Sequence, residues 1–85
     1  MEPEEKDALL LKELGLSSTD SARVEQKITN LNMRQLDRLK VMLGRIDEKG
    51  GLFTQSILLG IKNNDLKSFT DAVLILAQRQ MKKHN

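Results

Sequence analysis

Three arginines, Arg34, Arg38 and Arg45, share one side of the helical segment "NMRQLDRLKVMLGRIDEKGG". At about 100° per residue, Arg38 and Arg45 lie about 40° and about 20° from Arg34, and the apolar stripe Leu36, Leu39, Leu43 and Ile46 centres about 160° away. Arg34 and Arg38 repel each other as an i, i+4 like-charge pair. An anionic partner would offset that repulsion, either phosphates or the carboxylates of another protein. Asp37 and Glu48 flank the row and dilute its charge. A solvated charged face is the simpler reading of the row by itself. A second basic group, Arg79, Lys82 and Lys83, closes the chain. The negative end of a helix dipole accounts for it, and the sharper reading is a contact to nucleic acid or an acidic protein.

The segment "LFTQSILLGIKNNDLKSFTDAV" places a short helix, a glycine and a turn ahead of a capped helix. It resembles the helix-turn-helix unit of DNA-binding proteins over about residues 53–72. Ser56 is small where the two helices would cross, and Leu59, Ile61, Leu66 and Phe69 are apolar where such a unit packs inside. The resemblance implies that Lys62, Asn63, Asn64, Lys67 and Ser68 enter a groove, with the basic residues above gripping phosphates. Gln55 is polar where an apolar residue is usual, and Asp65 and Asp71 carry the wrong charge for DNA.

Catalytic chemistry finds little support. The chain has one histidine, the penultimate His84, and no cysteine. No serine therefore has a positioned base to activate it. The acids at positions 2, 4, 5 and 7 crowd a first helical turn rather than a walled pocket. No metal-ligand spacing and no phosphate-cradling glycine loop is present. The expectation is a non-enzymatic protein with no cofactor, no metal and no small-molecule substrate.

A chain of 85 residues implies a single domain, residues 1–85, with a modest core. Phe53 and Phe69 are its only aromatic residues, so the core must be aliphatic. Net charge is +2, split as −4 over residues 1–20 and +6 over residues 21–85. That asymmetry permits nucleic-acid contact without demanding it. The acidic start "MEPEEKD" is unlike a secretory signal, and the longest apolar run, Ala72 to Ala77, is far short of a membrane span. A soluble, cytoplasmic protein is expected, without a membrane partner.

Breakers and caps predict an all-α fold, a compact bundle of about five short helices. The first runs from Pro3 to Leu14 and stops at Gly15. Ser18 is the expected N-cap of the second, whose Val24, Ile28 and Leu31 share a face. Asn32 and Gln35 form a capping box for the third, which ends at Gly50 or Gly51. The fourth covers about 53–61, and Asp65 caps the fifth. Met33 and Met42 border the third helix's stripe as gap-fillers.

The run "AVLILA" makes the fifth helix apolar on nearly all sides, which requires burial on all sides. Either it is the central helix of the chain, or its second side meets another copy. "ALLL" at 8–11 has the same character. The sequence thus supports a protein–protein interaction or accessory module that self-associates through Leu9, Leu10, Leu11, Leu74, Ile75 and Met81, with the basic residues selecting a partner. The alternative is a small dimeric DNA-binding regulator.

Overall fold

The chain ends the first, third and fourth of its five helices at glycine or asparagine in left-handed backbone and starts the second to fifth with side-chain caps. The computed structural model describes the backbone of residues 3–83 and the side chains of residues 6–79. In chain order the helices are α1 (Pro3–Glu13), α2 (Ser21–Thr29), α3 (Met33–Gly50), α4 (Gln55–Lys62) and α5 (Leu66–Lys83), with no strand among the described residues. The radius of gyration, 11.8 Å, matches the about 12 Å expected of a compact chain this long.

α1 closes in a Schellman motif. Gly15 sits at φ 75°, its N–H donates to the Lys12 carbonyl at 3.0 Å, and the Leu16 N–H donates to the Leu11 carbonyl at 2.7 Å. Leu11 and Leu16 are both fully buried, the apolar contact that accompanies this motif. The N-cap of α2 is Asp20, not Ser18. The Ala22 and Arg23 N–H groups donate to Asp20 Oδ1 at 3.1 and 3.4 Å, while Ser18 Oγ accepts from the Asp20 N–H. A carboxylate one residue before the helix satisfies two orphan donors, which Ser18 is too far back to reach. The Asn32–Gln35 capping box forms as the sequence predicts, with both reciprocal bonds present. Of the two glycines after α3, Gly51 takes the left-handed position at φ 59°, and Asp47 Oδ1 accepts from the Phe53 N–H to fix the link to α4.

The α4–α5 turn repeats the α1 solution with asparagine. Asn64 lies at φ 59°, its N–H donates to the Ile61 carbonyl at 3.0 Å, and the Asp65 N–H donates to the Gly60 carbonyl at 2.8 Å. Asp65 then caps α5, accepting from the Ser68 N–H and Oγ at 3.3 and 3.0 Å. The tight turn presses Gly60 onto Ser68. A Cβ at Gly60 would overlap Ser68 Oγ and lie 2.5 Å from Ser68 Cβ.

One contiguous core joins all five helices. Leu11, Val24, Leu39, Leu43 and Val73 have no exposed surface, and Phe69 and Met42 almost none. α5 packs against α2 and α4, and α3 against α4. Ala72, Val73, Leu76 and Ala77 are buried, and Leu74 and Ile75 are half-buried against the same core. Met42 fills the core, but Met33 is 66% exposed, because it occupies the first helical position beyond the reach of the neighbouring helices. The buried hydroxyls are satisfied locally: Thr70 Oγ1 donates to the Leu66 carbonyl at 2.9 Å. No helix of the described residues is long and apolar enough to cross a membrane.

Two glycines make opposite predictions. Gly60→Ala should destabilise the protein by about 1–3 kcal/mol through overpacking, with part of the loss recovered by Ser68→Gly. Gly44 lies inside α3, and a Cβ there would meet nothing within 4 Å. Gly44→Ala should therefore stabilise by about 0.5–1 kcal/mol. Urea midpoints at constant slope read both, and a Gly60→Ala protein as stable as the parent would remove the close approach as a determinant of the fold.

Candidate docking groove

α3 turns its apolar stripe inward and leaves Arg34, Arg38 and Arg45 exposed, as the helical spacing predicts. α1 lies alongside and converts that face into one wall of an open groove of about 760 Å³. Lys6, Arg34, Arg38 and Arg45 supply four positive charges, and Asp7 and Asp37 two negative ones. Leu10, Val41 and Met42 are its apolar lining. Val41 stands among the arginines with 67% of its surface exposed.

One ion pair holds the two walls together. Arg45 Nη2 donates to Asp7 Oδ1 at 2.7 Å, with the Asp7 side chain mostly buried and that of Arg45 half-exposed. Solvent screening limits such a pair to at most about 1 kcal/mol. It leaves Arg34, Arg38 and Lys6 facing Asp37 alone within the groove. Among the described residues, neither Arg34 nor Arg38 enters an ion pair. Guanidinium groups on adjacent turns suit bidentate carboxylates, and the exposed Val41 beside them can meet an apolar side chain. The arrangement can recognise and hold. Among the described residues no group of three His, Asp or Glu side chains is placed to bind a metal ion.

The structure divides the residues expected at an interface. Leu11 is fully buried, because it is the C-terminal apolar partner of Leu16 in the α1 motif, and it has no surface to offer. Leu74 and Ile75 pack against the chain's own core, which is what an apolar run on a helix flanked by α2 and α4 requires. Leu10 faces the groove, and Leu9 is 51% exposed. Arg79 is exposed. The side chains of Met81, Lys82 and Lys83, and the whole of His84, lie outside the described residues.

The DNA-readout set is divided as well. Ser68 is buried against Gly60 and bonded to Asp65, so it cannot enter a groove. The helix crossing is made by Gly60 and Ser68, while Ser56 is exposed, and Leu59 is 61% exposed instead of packed inside. Lys67 pairs with Asp71 at 3.1 Å. Lys62, Asn63 and Asn64 are exposed on the turn, where the Lys62 carbonyl accepts from Lys40 Nζ at 3.4 Å.

Sequence reasoning found one wall of the groove and missed the other. Lys6 carried no signal of its own, Leu10 stood out only as part of the apolar run "ALLL", and Asp7 read as a first-turn acid satisfying the helix dipole. Compared with protein-family models, curated proteins and solved structures, the chain matches none.

The contrast between Leu11 and its neighbour is measurable. Leu11→Ala should cost about 2–5 kcal/mol of stability, whereas Leu9→Ala should stay within about 0.5 kcal/mol. Thermal or urea denaturation of the two variants side by side would expose an error in this assignment, which requires Leu11 to be the more sensitive site.

Proposed function

We propose that the protein is a small, non-enzymatic helical interaction module whose α1–α3 groove docks an acidic, apolar-faced surface of a partner protein. The observation that carries the reading is an exposed aliphatic side chain, Val41, standing within a row of arginines. A phosphate backbone would use the arginines but gain nothing from Val41 and Leu10. It would also meet Asp37, and Glu48 beyond it, with unfavourable charge. Carboxylates alternating with apolar side chains match both features of the groove.

A fluorescein-labelled helical peptide with glutamates and leucines on one face is the direct probe. Anisotropy should show micromolar binding that weakens with salt, and the Arg34→Glu/Arg38→Glu variant should lose about tenfold or more in affinity. A random-sequence DNA duplex in the same buffer should bind more weakly. Tighter binding of the duplex, steeply dependent on salt and reduced by Lys62→Ala or Lys67→Ala, would overturn the docking reading in favour of a DNA-binding α4–α5 hairpin.

A further inference from the structure

The outer face of α3 is divided by sign. With Val41 as origin and about 100° per residue, Arg34, Arg45 and Arg38 lie about 20°, 40° and 60° to one side of it, and Glu48 and Asp37 about 20° and 40° to the other. All six side chains are exposed. α1 borders the arginine side, where Lys6 and Leu10 line the groove and Asp7 holds Arg45. Asp37 and Glu48 form the opposite edge.

The spacing offers each acid a partner on α3 itself. Arg34 stands three residues before Asp37, and Arg45 three before Glu48, a separation at which opposite charges can meet on a helix. Among the described residues neither pair forms, and Arg34, Arg38, Asp37 and Glu48 enter no ion pair. With Arg45 already held by Asp7, the face of α3 presents two open guanidinium groups on one side of Val41 and two open carboxylates on the other.

An apolar contact with charged flanks is how one helix selects another, since the flanking charges set the partner and its direction. A partner acidic on both flanks gains at Arg34 and Arg38 and loses at Asp37 and Glu48. A partner basic on both flanks reverses the two contributions. Only a partner that carries one sign on each flank gains at both edges.

We propose that the segment docked in this groove is an amphipathic helix whose apolar stripe is flanked by carboxylates on one edge and basic side chains on the other. The carboxylates face Arg34 and Arg38, the basic groups face Asp37 and Glu48, and the apolar stripe covers Val41. This rests on the docking reading above and specifies its partner. Such a helix is selected by the arrangement of its charges rather than by their sum. A helix with its edges in the same rotational order as those of α3 lies parallel to α3, and one with the opposite order lies antiparallel. The charges stay exposed, so the complex weakens as salt rises.

Three fluorescein-labelled helical peptides with one length and one leucine stripe test the arrangement. The first has glutamates on one edge and lysines on the other, the second has glutamates on both, and the third has the first composition with the two charges mixed between the edges. Anisotropy should rank the two-edged peptide tightest on the parent protein, by about threefold or more. Asp37→Lys/Glu48→Lys should invert that order in favour of the all-glutamate peptide. Both residues are exposed, so circular dichroism of the variant should match the parent. An all-glutamate or mixed peptide that binds the parent as tightly as the two-edged one, or a ranking untouched by Asp37→Lys/Glu48→Lys, overturns the two-edged partner and leaves the docking reading standing. Failure of all three peptides to bind overturns the docking reading and this proposal with it. Sedimentation velocity of the protein alone should show a monomer at the titration concentrations. A dimer that the two-edged peptide must displace would make the occupant a second copy and so overturn the proposal.

Discussion

The contact between Gly60 and Ser68 sets the spacing on which the rest of the core depends. With no aromatic residues beyond Phe53 and Phe69, the chain has little bulk with which to bridge widely spaced helices. It brings the helices closer instead. Asn64 takes left-handed backbone that only glycine and asparagine adopt readily, and Asp65 both terminates α4 and caps α5. With no slack between the two helices, Gly60 must lack a side chain, and Ser68 must turn its hydroxyl to Asp65 at 3.0 Å. Ile61 and Phe69 then enter the core together, and Val24 and Ile28 of α2 close over the other side of α5.

That arrangement decides where surface is left for recognition. A helix as apolar as α5 invites a partner when viewed alone, yet α2 and α4 occupy its flanks and the remaining apolar side chains rest on the common core. The contact that anchors α5 also withdraws Ser68 from any ligand, and with it one of the residues a DNA-reading helix would present first. The surface left for the proposed docking lies on α3, whose inner stripe is satisfied by the core and whose outer face borders α1 at the groove.

Much of the fold was legible because the signals were local. Asn32 with Gln35, Gly15, Gly51 and Asp65 do what their types imply, since caps and left-handed turns are decided within a few residues. The arginine row was legible for the same reason, being a matter of helical phase. What failed was tertiary. Ser18 and Asp20 both qualify as caps, and the choice depends on where α2 must begin to bury Val24. "ALLL" looks equally apolar throughout, but only the fold separates Leu11, sealed against Leu16, from the half-exposed Leu9. Ser56 and Gly60 are both small residues on α4, and only the direction of the turn selects Gly60 for the crossing. The second wall of the groove was illegible because Asp7 meets Arg45 across 38 positions of sequence.

Local preference and tertiary structure agree along most of this chain, which is the mark of a sequence that specifies its fold. They disagree on one surface. On the outside of α3, two arginines repel across one helical turn, a β-branched aliphatic side chain stands two-thirds exposed, and a glycine weakens the helix interior with nothing packed above it. Each departure is small, and a solvated face would tolerate any one of them. Their coincidence within a few turns is harder to attribute to folding, since folding gains from none of them. Departures from local rules that bring no structural return are expected where a surface is shaped for something outside the chain. Under the docking proposal, an occupant with carboxylates opposite the arginines and an apolar contact over Val41 relieves the first two at once.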